Sequence, residues 1–398
     1  MKVLVSASAR FVLGSDNRLW TPNASLVHKF WARYLDVFDE VRLIVRAQPM
    51  RDVPEGWVEA SGEGVSVVAL PHFVGPAQFA RNLVTVRRLV GRALLEREAV
   101  MLRLPCVVGS ELWRQLSSRR PYGVEIVGDP MDVFAPGAVS HPLSPILHWW
   151  WPRKLRAQCA QAVAATYVTQ HALQRRYPPA EDAYSTFYSS IDLGADALVS
   201  KARSFKLRLS EPLRIVTVGS LSQLYKAPDV LIEAVGRCIE QGLDLTLNLI
   251  GDGKYRDQLE AQVARLGLQK RIRFAGQLSA ESVRAELDAS DLFILPSRTE
   301  GLPRAMIEAM ARALPCIGSR VGGIPELLSD EDLVQPGDVE GLVKRINELA
   351  RHPEQLTQMS RANLAHAELY REDVLRERRV GLYRHVHTRT EQWRRCVA

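Results

Sequence analysis

No C-x-x-C pair occurs in this chain, and its five cysteines, Cys106, Cys159, Cys238, Cys316 and Cys396, are scattered and odd in number. That excludes a disulfide framework and a cysteine zinc site, and makes a reducing cytoplasm the expected compartment. No run reaches the roughly 18 to 20 apolar residues needed to cross a bilayer. The opening MKVLVSASARFVLG is too short and too interrupted for a secretory leader and reads as a first strand followed by a loop. Dense basic runs are missing as well. The formal charge of +7 is spread over both halves, which argues against nucleic acid and leaves an anionic substrate or a membrane surface as the partner of the excess.

What is present is a chain of 398 residues, 46% hydrophobic, enough for two sizeable cores. The first half alternates strand-like runs (KVLVSA, VRLIVRA, VSVVAL, AVMLRLP, YGVEIVG, AATYVT) with amphipathic stretches such as SLVHKFWARYLDVF and FARNLVTVRRLVGRALLERE. After Asp192 the alternation restarts with LRIVTVG and continues through LTLNLIG, RIRFAG, DLFILPS and PCIGS, each followed by a helical stretch. This order predicts α/β architecture with two Rossmann-like, doubly wound domains facing each other across a cleft. The expected boundaries are 1–195 for the first domain, 196–212 for a polar linker, 213–370 for the second domain and 371–398 for a final helix.

The most informative stretch is SRTEGLPRAMIEAMARA. It sets Glu300 and Glu308 on either side of a predicted strand-to-helix turn, with Gly301 permissive and Pro303 suited to the first helical position. The helix would bury Met306, Ala309, Met310 and Ala313, and its amino end is a seat for a diphosphate. Two plainer readings stay open: Glu308 paired with Arg304 four residues earlier, and Glu300 as a helix-start acid. Other strand ends add candidates. Gly219 and Ser220 precede Lys226, a point charge for phosphate or a solvated loop lysine. Gly251, Asp252 and Gly253 form a tight turn, and Gly276, Gln277 and Leu278 bring backbone to a strand end where a base edge can pair. Ser279 is placed to cap the next helix, and Gly322 and Gly323 permit close backbone approach.

With these loops in order, VGSLSQLYKAPDVLIEA, LIGDG, RFAGQL and SRTEGLPRAMIEAMARALPCIGSRVGGIPELL, the second half resembles the donor domain of the GT-B-fold retaining glycosyltransferases of the family 4 group, the glycosyl transferases group 1. The resemblance implies that Glu308 grips the ribose hydroxyls and Glu300 the hydroxyls of the transferred sugar. It implies that Lys226 and the amides of Gly301 and Leu302, ahead of Pro303, hold the diphosphate. Lys226 and Glu300 thus enter as catalytic candidates. The group's usual arginine six positions before the lysine is Ser220 here, and Arg304 is a candidate replacement. The usual Gly-Gly first loop offers only Gly14, and in place of a first-domain histidine stand Gly128 and Asp129. Asp129 is either an acceptor-side base or a turn former before Pro130.

The expected reaction is transfer of a hexose from a UDP- or GDP-sugar to a glycan or lipid-linked acceptor with retention, without cofactor and without metal, since a lysine and a helix dipole carry the diphosphate. A sugar-nucleotide epimerase and a non-catalytic sugar-nucleotide-binding subunit are the rival readings. Trp149, Trp150 and Trp151 beside Arg153, Lys154 and Arg156, and the basic stretch from Arg81 to Leu95, suit either peripheral contact with an anionic membrane at its inner face or packing under a helix.

Overall fold

A computed structural model describes residues 1–9, 11–22, 26–95, 97–116, 120–133, 144–206 and 211–397. The expected linker 196–212 therefore lies partly, at residues 207–210, outside the described residues. The chain divides into two compact units, Met1–Ser190 with Arg376–Ala398, and Ile191–Leu375.

The first unit runs β1 (Lys2–Ser6), β2 (Phe11–Leu13), β3 (Leu19–Thr21), α1 (His28–Ala32), β4 (Glu40–Pro49), β5 (Val58–Glu59), β6 (Val65–Leu70) and α2 (Gly75–Ala93). It continues with β7 (Ala99–Leu104), α3 (Val107–Gln115), β8 (Gly123–Ile126), α4 (Pro130–Val133), α5 (Ser144–Ala160), β9 (Ala164–Tyr167), α6 (Ala172–Arg176) and β10 (Tyr184–Phe187). The strands line up as β10-β9-β8-β7-β1-β4-β2-β3-β5, with β6 also pairing β4. Its central members, β1, β7, β8 and β9, are buried almost throughout, which is why they read as continuous apolar runs rather than alternating ones.

Two local expectations change here. SARFVLGSDN is not a loop but contributes to a hairpin: β2 and β3 pair antiparallel, Val12 opposite Trp20. SLVHKFWARYLDVF yields a helix of only five residues, prolonged by a 3₁₀ turn at Arg33–Asp36.

A buried carboxylate organises this unit. Glu125 on β8 accepts hydrogen bonds from the hydroxyls of Tyr34 (2.8 Å), Tyr188 (2.7 Å) and Tyr383 (3.3 Å) and pairs with Arg103 on β7. Tyr34 and Tyr383 stack with centroids 4.5 Å apart. Burial and the Glu125 charge hold all three phenols well above their ordinary pKa. Tyr383 belongs to the last helix, α13 (Glu372–Val397), so this network fixes the chain's end to the sheet of the first unit.

The second unit runs β11 (Leu213–Val218), α7 (Pro228–Glu240), β12 (Leu245–Ile250), α8 (Arg256–Arg265), β13 (Ile272–Gly276), α9 (Ala280–Ala289), β14 (Leu292–Leu295), α10 (Arg304–Ala311), β15 (Cys316–Ser319), β16 (Leu333–Val334), α11 (Val339–Arg351) and α12 (Pro353–Ala367). All strand pairs are parallel, in the order β13-β12-β11-β14-β15-β16. The order reverses between β11 and β14. In a doubly wound sheet that reversal leaves a crevice outside the carboxyl ends of those two strands, the usual seat of a ligand. The described part of the segment read as linker lies on this unit: Val199 N–H donates to Ala311 O (3.0 Å), and Arg203 donates to the carbonyls of Ser290 (2.6 Å) and Arg312 (3.0 Å).

Candidate functional site

The loops leaving β11 and β14 meet at this switch point. After β11 the chain makes a 3₁₀ turn, Leu224–Lys226, and passes through Ala227 at φ +53° into α7. Lys226 folds back over Gly219, where a Cβ would come within 3.2 Å of the lysine Cγ, so the missing side chain makes room for its stem. After β14 the chain runs through Ser297 and Glu300 to α10. Lys226 Nζ pairs directly with Glu300 Oε2, and Ser297 Oγ donates to the same oxygen at 3.3 Å. Both charged side chains are largely buried, 16% and 11% exposed, so the pair is kept in a medium where charge matters. Tyr225 lines the same turn, its phenol pushed up by burial and then by the Glu300 charge, with Arg304 pulling the other way.

Glu308 sits on the fifth residue of α10. Burial raises its carboxyl above the ordinary range, against the pull of Arg304 and Arg284. Arg304 thus acts electrostatically on both Tyr225 and Glu308. Pro303 is corrected by one position: it precedes the helix as its N-cap, with φ −75° and ψ 104°, and Arg304 is the first helical residue. The apolar face is as expected for Met306, Ala309 and Met310, while Ala313 is buried past the helix end at φ +55°.

The glycines serve first to let loops touch. A Cβ on Gly251 (φ +136°) would fall 1.9 Å from Gly219 O, and one on Gly322 (φ +53°) would fall 1.7 Å from Glu300 O. Gly251 N–H donates to Gly276 O at 2.8 Å, and Gly323 N–H to Gly301 O at 2.7 Å. These contacts draw the ends of β11, β12 and β13 together and hold the Glu300 turn from below. Gly301 itself has open space on its Cβ side. Leu302 is buried, and Gln277 and Leu278 follow β13 at the same sheet edge. Ser220 Oγ accepts from Ser222 N–H at 3.2 Å, a local turn. Ser279 caps α9, accepting from Ser282 N–H at 3.1 Å.

Two first-unit candidates are placed elsewhere. Gly14 opens the β2–β3 hairpin turn, its N–H donating to Arg18 O and its O accepting from Asn17 N–H, both at 3.0 Å, rather than following β1. Asp129 is buried and fully engaged: Oδ1 accepts from Met131 N–H (2.9 Å) and the Tyr177 hydroxyl (2.5 Å), and Oδ2 pairs with Arg176. Of its two readings, the Met131 N–H contact is that of the turn former.

A further ion pair joins the two loops. Arg298 donates through Nη1 and Nη2 to the two carboxylate oxygens of Asp229 (2.8 and 2.7 Å), through Nη1 to Leu224 O (2.8 Å) and through its backbone N–H to Tyr225 O (2.7 Å). This fork clamps the β14 loop, two residues before Glu300, onto the turn that carries Lys226. Residues 69 apart give no local signal for such a pair. Arg298→Ala is expected to lower kcat by about 10 to 100-fold through misplacement of these side chains. The melting temperature should stay within a few degrees, and Arg298→Lys should restore little, because an ammonium cannot reproduce the fork. Unchanged kcat in the alanine variant would deny the clamp a positioning role.

Among the described residues no group of three or more metal-ligating side chains is assembled, and no helix is long and apolar enough to cross a membrane.

Comparison with known proteins bears on this geometry. The family model "Glycosyl transferases group 1" matches residues 200–365. Protein CapJ of Staphylococcus aureus is 25% identical over 80% of this chain and 80% of its own length. The amylovoran biosynthesis glycosyltransferase AmsK of Erwinia amylovora is 36% identical over 35% of this chain, which spans only 37% of that protein. Among solved structures, Anabaena HepE in complex with UDP superposes with a TM-score of 0.63 at 18% identity, over 96% of this chain and 98% of that one. The fold is GT-B, and residues 200–365, most of the second unit, match the glycosyl transferases group 1.

Proposed function

We propose that this protein is a retaining, metal-independent hexosyltransferase that moves a sugar from a UDP- or GDP-sugar to a glycan or lipid-linked acceptor in polysaccharide or glycolipid assembly. The observation that carries the reading is the Lys226–Glu300 pair at the switch point, with Glu308 on the adjoining helix. Two of the similar proteins support it by name, AmsK as an amylovoran biosynthesis glycosyltransferase and HepE by its complex with UDP-glucose.

In the free protein Lys226 and Glu300 neutralise each other. A donor diphosphate competes for the ammonium, so binding exchanges partners: Lys226 turns to the phosphate, and Glu300 is released toward the hydroxyls of the sugar. Arg304, on the first residue of α10, adds a second cation in place of the arginine absent at Ser220. The amino end of α10 contributes its dipole to the same charge. During transfer the bond from the anomeric carbon to the phosphate oxygen breaks and the bond to the acceptor oxygen forms on the same face. The acceptor proton passes to the departing phosphate oxygen, and Lys226 stabilises the negative charge that develops there. Glu300 is committed to lysine and sugar and is not the nucleophile. Asp129 is committed to Arg176 and Tyr177 and is not the base.

Release of nucleoside diphosphate from UDP-glucose and GDP-mannose, with and without a saccharide acceptor, is the test, run in excess chelator. Acceptor-dependent release at undiminished rate is expected. Loss of all activity, restored by added manganese, would contradict the metal-independent mechanism. Conversion of donor to its epimer without acceptor would replace transfer by epimerisation.

A further inference from the structure

Helices α2 and α5 carry a surface that the donor chemistry does not use. Neither contains an aspartate or glutamate, whereas α2 has Arg81, Arg87, Arg88 and Arg92 and α5 has Arg153, Lys154 and Arg156. Of these seven cations, Arg87 pairs with Glu111 on α3 at 3.0 Å. Both helices cover one face of the first unit's sheet: Val86, Val90 and Ala93 of α2 and Leu155 and Cys159 of α5 enter the same core. The charges of Arg87 on α2 and of Glu111 and Arg114 on α3 all act on Lys154, which places the helices side by side.

The outward stripe of α5 reads Ile146, Trp149, Trp150, Arg153 and Arg156 at spacings of three and four. Ile146 is 62%, Trp149 57% and Trp150 39% exposed. An isoleucine and two indoles standing in water on an ordinary soluble surface are costly unless something covers them. The Arg153 guanidinium lies 4.1 Å over the Trp149 ring and the Lys154 ammonium 4.6 Å over the Trp150 ring, so each ring has a cation beside it. On α2, Arg81, Val84 and Arg88 fall on one exposed stripe at spacings of three and four, with Val84 80% exposed. The α5 sequence alone left membrane contact and core packing open for the three tryptophans; Trp149 and Trp150 are not core.

We infer that this face docks on an anionic lipid bilayer. The indoles and Ile146 enter the interfacial layer, and the cations of α5 and α2 meet the headgroups. Charge complementarity selects this occupant: a protein partner would need an acidic face of matching extent, whereas an anionic leaflet supplies uniform negative charge and an apolar layer beneath it. The inference deepens the lipid-linked half of the acceptor reading by holding the enzyme at the surface where such an acceptor lies.

Flotation of the full-length protein tests it, with vesicles of phosphatidylcholine alone or mixed with phosphatidylglycerol, at low and high salt. The wild type should float with the mixed vesicles, not with the neutral ones, and less at high salt. The double variant Trp149→Ala/Trp150→Ala and the double variant Arg81→Glu/Arg88→Glu, all exposed sites, should each bind at least about tenfold more weakly, since each removes one of the two contributions to interfacial binding. Their UDP-glucose or GDP-mannose binding should be unaltered, which separates failure of the docking face from failure of the donor site. Wild type that stays at the bottom with mixed vesicles overturns the inference. So does flotation unaffected by loss of both tryptophans, or retention on a soluble polyanionic glycan in place of vesicles.

Discussion

Lys226→Ala is expected to lower kcat by about 10²- to 10³-fold, the cost of removing one preorganised group aimed at charge that develops in the transition state. The effect should exceed that on donor binding, because in the free protein the ammonium is already paired with Glu300. Binding replaces one carboxylate partner with another anion, so little is gained in the ground state. In the transition state the phosphate carries more charge, and the full attraction is felt. The variant also leaves Glu300 buried without its cation beside the approaching diphosphate. Lys226→Arg should recover activity only in part: the guanidinium keeps the charge but not the compact shape that fits over Gly219. Steady-state kinetics with saturating donor settles the matter, and a kcat within a few-fold of wild type would remove Lys226 from the chemistry.

Glu308→Ala acts instead on binding. Its carboxylate is held half-buried on α10 with a raised pKa caused chiefly by burial. An ionised carboxylate accepting two ribose hydroxyls contributes two charge-assisted hydrogen bonds, each of the order of 1.5 kcal/mol or more. Their loss weakens nucleotide affinity by about 100-fold or more, at roughly 1.4 kcal/mol per factor of ten. The raised pKa gives a direction in pH as well. The binding form is the anion, so affinity in the wild type is full at high pH and falls on acidification, starting at a higher pH than an ordinary glutamate would show. Calorimetric titration with UDP between neutral and mildly acidic pH reads both effects. Glu308→Ala should lose the acid limb together with the affinity; an affinity equal to wild type would move the ribose site elsewhere.

The alternation of strands and helices was legible because buried parallel strands are short apolar runs with loops between them, and in the second unit every such run became a strand of one sheet. The turn from Glu300 to Glu308 was legible for the same reason, since strand end, turn and helix start are all local features. Ser279 could be read as a cap because its partner is three residues away. What escaped is non-local. The Arg298–Asp229 fork joins two loops brought together only by strand order, and the Lys226–Glu300 pair spans 74 residues. Asp129 looked available because Arg176 and Tyr177, which engage it, lie 47 and 48 residues downstream. The β2–β3 hairpin was hidden by the shortness of both strands, three residues each, and by an Asn17 turn at φ +61° that resembles any polar loop. Three consecutive tryptophans could not be assigned to a face until Leu155 and Cys159 showed which side of α5 points inward.

The central claim is that the turn after β14, with Lys226 above it, holds a nucleoside-diphosphate sugar. Isothermal titration of the wild-type protein with UDP-glucose and GDP-mannose, free of metal, measures this most directly. One of the two should bind at a single site per chain, be displaced by its own nucleoside diphosphate, and be lost in Glu308→Ala. No binding of either donor, or binding that survives the loss of both Glu308 and Lys226, would contradict it.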